Sequence, residues 1–163
     1  MTRLFGAVLA VGMLCTPLMA QDYKIGDLQI RHPYVSVAGK AAIAAAGYFQ
    51  IVNHGDQPDR LVEVTTVAAM AMIHQSAVDT DGVASMAAMP DGVSIPAGET
   101  VTLEPGGLHV MFTGLASPFV DGTTLRATLV FERAGRLDVD FNVEKLRSTH
   151  DHGAMPEVAP LKN

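Results

Sequence analysis

After its first 21 residues the chain reads as many short strands, the clearest of which alternate with a period of two. Residues 137–144 run Leu-Asp-Val-Asp-Phe-Asn-Val-Glu, apolar and polar in strict turn. That is the mark of a strand with one face in a core and the other toward water. Leu125, Ala127, Leu129 and Phe131 alternate with Arg126, Thr128 and Glu132, with Val130 the exception. Ala134-Gly135-Arg136, between the two runs, predicts a hairpin loop. Residues 47–53 and 60–67 predict two further strands around the turn-rich stretch 54–58. Val101 and Leu103 alternate with Thr102 and Glu104 until Pro105-Gly106-Gly107 breaks the run. Turn signals recur at Asp81-Gly82, Asp91-Gly92, Ala97-Gly98, Gly106-Gly107 and Asp121-Gly122. Short strands at this spacing indicate an all-β antiparallel sandwich or barrel. The Ala-rich stretch 38–46 predicts a helical turn or a loop.

Both ends depart from the pattern. Arg3 is the one charge among the first 21 residues, an apolar run follows over 4–14, and Leu18-Met19-Ala20 closes the stretch. A basic start, a short apolar centre and a small exit residue predict a cleaved secretory signal peptide over 1–20. The run is too short, and too interrupted by Pro17, to anchor the chain in a membrane. Lipidation at Cys15 is the alternative, but Leu14 stands where a small residue would be expected. At the other end, residues 147–163 lose periodicity and gain Pro and polar residues, which predicts a flexible tail. One domain over 21–146 lies between.

Composition narrows the function. Of 163 residues, 48% are hydrophobic and 17% charged, so the chain can bury a core. Eleven basic against seventeen acidic residues give a net charge of −6, which argues against nucleic acid as a partner. The single cysteine excludes an internal disulfide and any CxxC motif, and it falls within the leader.

The chemistry lies with histidine and methionine. In residues 108–112, Leu108, Val110 and Phe112 share one face and His109 and Met111 the other. The apolar trio belongs to the core, so His109 and Met111 should point away from it. If Ile73 faces inward, Met72 and His74 face outward by the same argument. A hairpin through Asp81-Gly82 would bring Met86 near His74. A single outward Met or His is an ordinary surface residue. Two His–Met groupings in a chain without a usable thiol suit Cu(I), because thioether sulfur is soft and imidazole borderline. Zinc and calcium favour other donor sets.

At these residues the chain resembles the periplasmic copper chaperones of the PCu(A)C family. Their pattern is a His, a Met about a dozen residues on, and a His-x-Met some two dozen further. Here it reads His74, Met86, then His109-Val110-Met111. The blocks Gly47-Tyr48-Phe49-Gln50-Ile51-Val52-Asn53, Asp59-Arg60-Leu61, Ile95-Pro96-Ala97-Gly98 and Pro105-Gly106-Gly107-Leu108 are also similar, so the likeness spans about residues 28–144. Many members carry Met directly after the first His, where this chain has Gln75.

The resemblance implies a cupredoxin-like barrel or sandwich with Greek-key connections. It implies Cu(I) held at the surface by His74, Met86, His109 and Met111. It also implies a non-enzymatic carrier that delivers copper toward cytochrome c oxidase, with an oxidase subunit or a Sco-type protein as partner. The tail residues His150, His152 and Met155 resemble the His/Met-rich extensions of some members, which implies a second site, suited to Cu(II). Bound imidazole must be neutral, so binding should weaken as pH falls through about 6.5, the ordinary histidine value. Two other readings stand beside this one. A copper oxidase or dismutase would want three or more His and an open position. A metal-free interaction or adhesion sandwich would need neither His nor Met.

Overall fold

The computed structural model describes residues 22–39 and 42–145. The leader 1–20, Cys15 and the tail with His150, His152 and Met155 lie outside the described residues. The described residues form eleven strands: β1 (Tyr23–Ile25), β2 (Leu28–Val37), β3 (Ala44–Asn53), β4 (Asp59–Thr65), β5 (Met70–Val78), β6 (Ala84–Ala88), β7 (Val93–Ile95), β8 (Thr100–Leu103), β9 (Leu108–Thr113), β10 (Thr124–Phe131) and β11 (Gly135–Lys145). No helix occurs among the described residues.

The strands join one curled sheet in the order β6-β5-β9-β3-β2-β11-β10-β4-β7, with β1 on β2 and β8 on β3. Every pairing is antiparallel except β11 with β2, where Asn142 stands against Tyr34 and Lys145 against Val37. Neighbours distant in sequence, such as β3 and β9, come from Greek-key-type connections. The sheet curls until β4 approaches β5. Its inner face is filled by the alternating apolar sets, including Phe49, Leu129, Val110, Phe112, Val139 and Phe141. Phe141 takes Phe49 and Phe112 edge-on, at centroid distances of 5.6 and 6.2 Å.

Three local expectations are corrected. The hairpin between β10 and β11 turns at 132–134, and Gly135 already pairs with Phe131. The Asp59 carboxylate accepts hydrogen bonds from the Arg133 and Ala134 amides, both at 2.9 Å, and this ties the turn to the start of β4. The Ala-rich stretch supplies Ala44–Ala46 to β3, because β9 pairs all three, β2 pairs Ala46 from the other side, and this outweighs alanine's weak strand preference. Strand β4 stops at Thr65, and Val67 is fully exposed. There the Thr66 hydroxyl donates to the Arg126 carbonyl and accepts from the Ala68 amide, which ends the ladder.

Candidate metal centre

The outer face of β6, β5, β9 and β3 gathers the predicted residues. Register places His74 directly opposite His109, and Met72 directly opposite Met111. On the far side of β5, the hairpin sets Ala88 against His74 and Met86 against Ser76, so Met86 stands diagonal to His74. His74, Met86, His109 and Met111 therefore share one sheet face across three adjacent strands. The hairpin expected from Asp81-Gly82 exists. Its turn is held by the Asp79 carboxylate, which accepts from the amides of Asp81 at 3.0 Å and Val83 at 2.8 Å.

The two imidazoles lie nearly parallel, 5.9 Å apart and 20° between planes. Each is fixed from its own strand. His74 Nδ1 lies 3.2 Å from the Met72 carbonyl, and His109 Nδ1 lies 3.1 Å from the Gly107 carbonyl. A carbonyl oxygen only accepts, so Nδ1 carries the proton in both rings. In the neutral tautomer Nε2 then keeps the lone pair, which is the state a metal requires.

Exposure refines the expectation of a surface site. His109 lies on the outer face as expected but is only 6% exposed. His74 covers one side of it, and Tyr48 stands 6.5 Å away, backed by Tyr34 at 5.1 Å from Tyr48. Burial raises the pKa of both tyrosines, and for Tyr34 the nearby Glu144 and Glu104 add to the effect. His74 and Met111 are half-buried, whereas Met86 and Met72 are more than half exposed. The site thus has a covered floor of imidazole and phenol and an open thioether edge.

The register adds Tyr48, which the sequence did not single out for the site, and it places Met72, which the sequence offers as a spare thioether with an inferred outward side, on the same face as His74. Tyr48 forms the floor, and Met72 sits in a square with His74, His109 and Met111. Gln75 follows His74 directly and so projects from the opposite face of β5. A methionine there would not join the square, and Gln75 takes nothing from the site. Strands β5, β6 and β9 contain no Asp, Glu, Lys or Arg. Among the described residues no three His, Cys, Asp or Glu side chains gather as a ligand group. A metal on this face is therefore met by neutral nitrogen and sulfur, a donor set that fits Cu(I) and fits zinc or calcium poorly.

A family model described as "Putative lipoprotein LpqE-like" matches residues 28–143. The chain belongs to the LpqE-like family. Within the curated proteins, this LpqE-like chain is 34% identical over 104 residues to "Putative lipoprotein Lxx21020" of Leifsonia xyli subsp. xyli (strain CTCB07). That match takes in 64% of this chain and 61% of the relative. Among solved structures, the LpqE-like chain is similar to the copper-bound PCuAC domain from PmoF2, at TM-score 0.66 and 29% identity, over 77% of this chain and 99% of that one. The apo PCuAC domain from PmoF1 gives 0.65 and 30%, over 77% and 100%. The solution structure of CuI-DR1885 from Deinococcus radiodurans gives 0.57 and 30%, over 77% and 81%. The fold expected from the resemblance, a cupredoxin-like one, is the fold of these copper-binding domains.

Proposed function

We infer that this LpqE-like chain is an exported copper chaperone. It takes Cu(I) on His74, Met86, His109 and Met111 and hands it to a partner protein. The observation that carries this reading is the stacked pair of imidazoles, each with Nδ1 tied to a backbone carbonyl and thioethers on the same face. Two neutral nitrogens and two neutral sulfurs leave the bound ion with a net charge of +1. A carrier benefits from thioethers because they bind without losing a proton and cannot form disulfides. The open methionine edge lets an incoming ligand approach before the departing one has left. Copper-loaded relatives of the same fold support the metal.

The recipient belongs to the same proposal: the copper centres of cytochrome c oxidase, reached through an oxidase subunit or a Sco-type thiol protein. Export to the periplasm rests on the leader pattern of residues 1–20 and on the lipoprotein names of the family and its relative. No described helix is long and apolar enough to cross a membrane. The tail with His150, His152 and Met155 is proposed as a second, weaker site for Cu(II). Deleting residues 148–163 should remove one Cu(II) equivalent, and unchanged stoichiometry would refute it.

X-ray absorption of the Cu(I)-loaded chain tests the main site. Mixed nitrogen and sulfur neighbours are expected, and a shell of nitrogen or oxygen alone would refute the ligand set.

A further inference from the structure

Five soft or borderline donors, not four, converge on this face. Met72 stands directly across from Met111, where opposed Cβ atoms are about 4.5–5.5 Å apart, whereas a diagonal such as His74 to Met86 is roughly 7–8 Å. Met72 also lies two residues before His74 on the same strand face, and its carbonyl fixes the His74 ring. By register it is closer to the His74–His109–Met111 trio than Met86 is. Met72 is 54% exposed, against 52% for Met86, so neither residue is locked by packing.

We propose that Met72 is a second, exchangeable thioether ligand that takes the place of Met86 as Cu(I) leaves the site. The proposal rests on the reading of the face as a Cu(I) carrier. In the step, the bond from copper to Met72 sulfur forms as the bond from copper to Met86 sulfur breaks. Both ligands are neutral, so copper stays Cu(I) and no proton or electron moves. His109 and Met111, the more covered donors, hold the ion meanwhile. Met86, on the sheet's outermost strand, is then free to give way to a ligand from the partner.

The test compares the wild-type chain, Met72→Leu, Met86→Leu and the double variant, all loaded with Cu(I). Leucine keeps the volume and removes the sulfur, so the fold is retained, which far-UV circular dichroism checks. Met86→Leu should still show two sulfur neighbours by X-ray absorption. The double variant should show one, with an affinity loss larger than Met86→Leu alone by about tenfold or more. Release of Cu(I) to bathocuproine disulfonate, followed by stopped flow, should slow by about tenfold in Met72→Leu. Identical sulfur counts and affinities in Met86→Leu and the double variant would overturn the role of Met72. So would an unchanged release rate in Met72→Leu. A wild-type chain that takes up no Cu(I) would overturn the carrier reading itself, and this proposal with it.

Discussion

At the scale of single residues, the site separates side chains that look alike in the sequence. His74 and His109 face each other across two strands with their Nδ1 atoms engaged. His54 instead follows the end of β3, where its Nε2 lies 2.9 Å from Gln29 Oε1. That is some seven residues along β3 from the part paired with β9, or roughly 20 Å of strand. His32 is exposed at the bulge between Arg31 and Tyr34, with φ at 50°. Met86→Ala and Met111→Ala should each weaken Cu(I) binding by at least the ~10–100-fold that losing an outer partner of a metal ligand costs. His32→Ala and His54→Ala should leave it within about twofold. Competition titrations against a Cu(I) chelator measure all four, and equal losses would mean that the site lies elsewhere.

At the scale of elements, the register decides what meets what. Gly47 lies on the inner side of β3, where an added Cβ would stand 2.7 Å from Phe112 Cε2. The ring is fully buried and hemmed by Phe119 and Phe141, so it has little room to retreat. Gly47→Ala should therefore destabilise the domain by about 1–3 kcal/mol in urea unfolding. On the outer side of β10 and β11, Thr128 Oγ1 donates to the Asp138 carboxylate at 2.7 Å, with Arg126 nearby at 3.4 Å. The Thr128 bond first, and the Arg126 charge after it, hold Asp138 below the ordinary carboxylate value of 3.8. A lowered folded pKa gives stability that is present above the unfolded value and lost as pH falls through the folded one. Asp138→Asn should lower stability somewhat at pH 7, where the charged form is fully present, and flatten the acid limb of a stability-against-pH curve below about pH 4, so that the two curves converge at low pH.

Period-two patterning made β9, β10 and β11 legible, and it put His109 and Met111 on the right face. It could not show that β5 lies beside β9, because that pairing joins residues 33–43 positions apart through the Greek-key path. The stacking of His74 on His109 and the place of Met72 depend on it, and the Tyr48 floor depends on the still more distant pairing of β3 with β9. Nor could local propensity show that Ala44–Ala46 extend a strand that is paired on both edges.

At the scale of the whole molecule, stability comes from one apolar core with no cross-link. A chain with a single cysteine forms no internal disulfide, so reductant should not move its thermal midpoint. Phe141 is fully buried and touches two other rings, which makes it the place to weaken the fold. Phe141→Ala should cost about 3–5 kcal/mol, a large share of the ~5–15 kcal/mol of a typical domain. Calorimetry with and without reductant checks both statements.

Strand β6 bears Met86, yet it is bonded on one side only, and all five of its residues are exposed. Nothing in the core depends on it, so it can peel from β5 at a small fraction of the global unfolding free energy. Unloading then becomes a problem of local opening rather than of bond strength alone. Amide protons of Ala84–Ala88 should exchange with deuterium far faster than those of β9 in the empty protein. They should slow on Cu(I) loading, as the metal staples the outermost strand to the sheet.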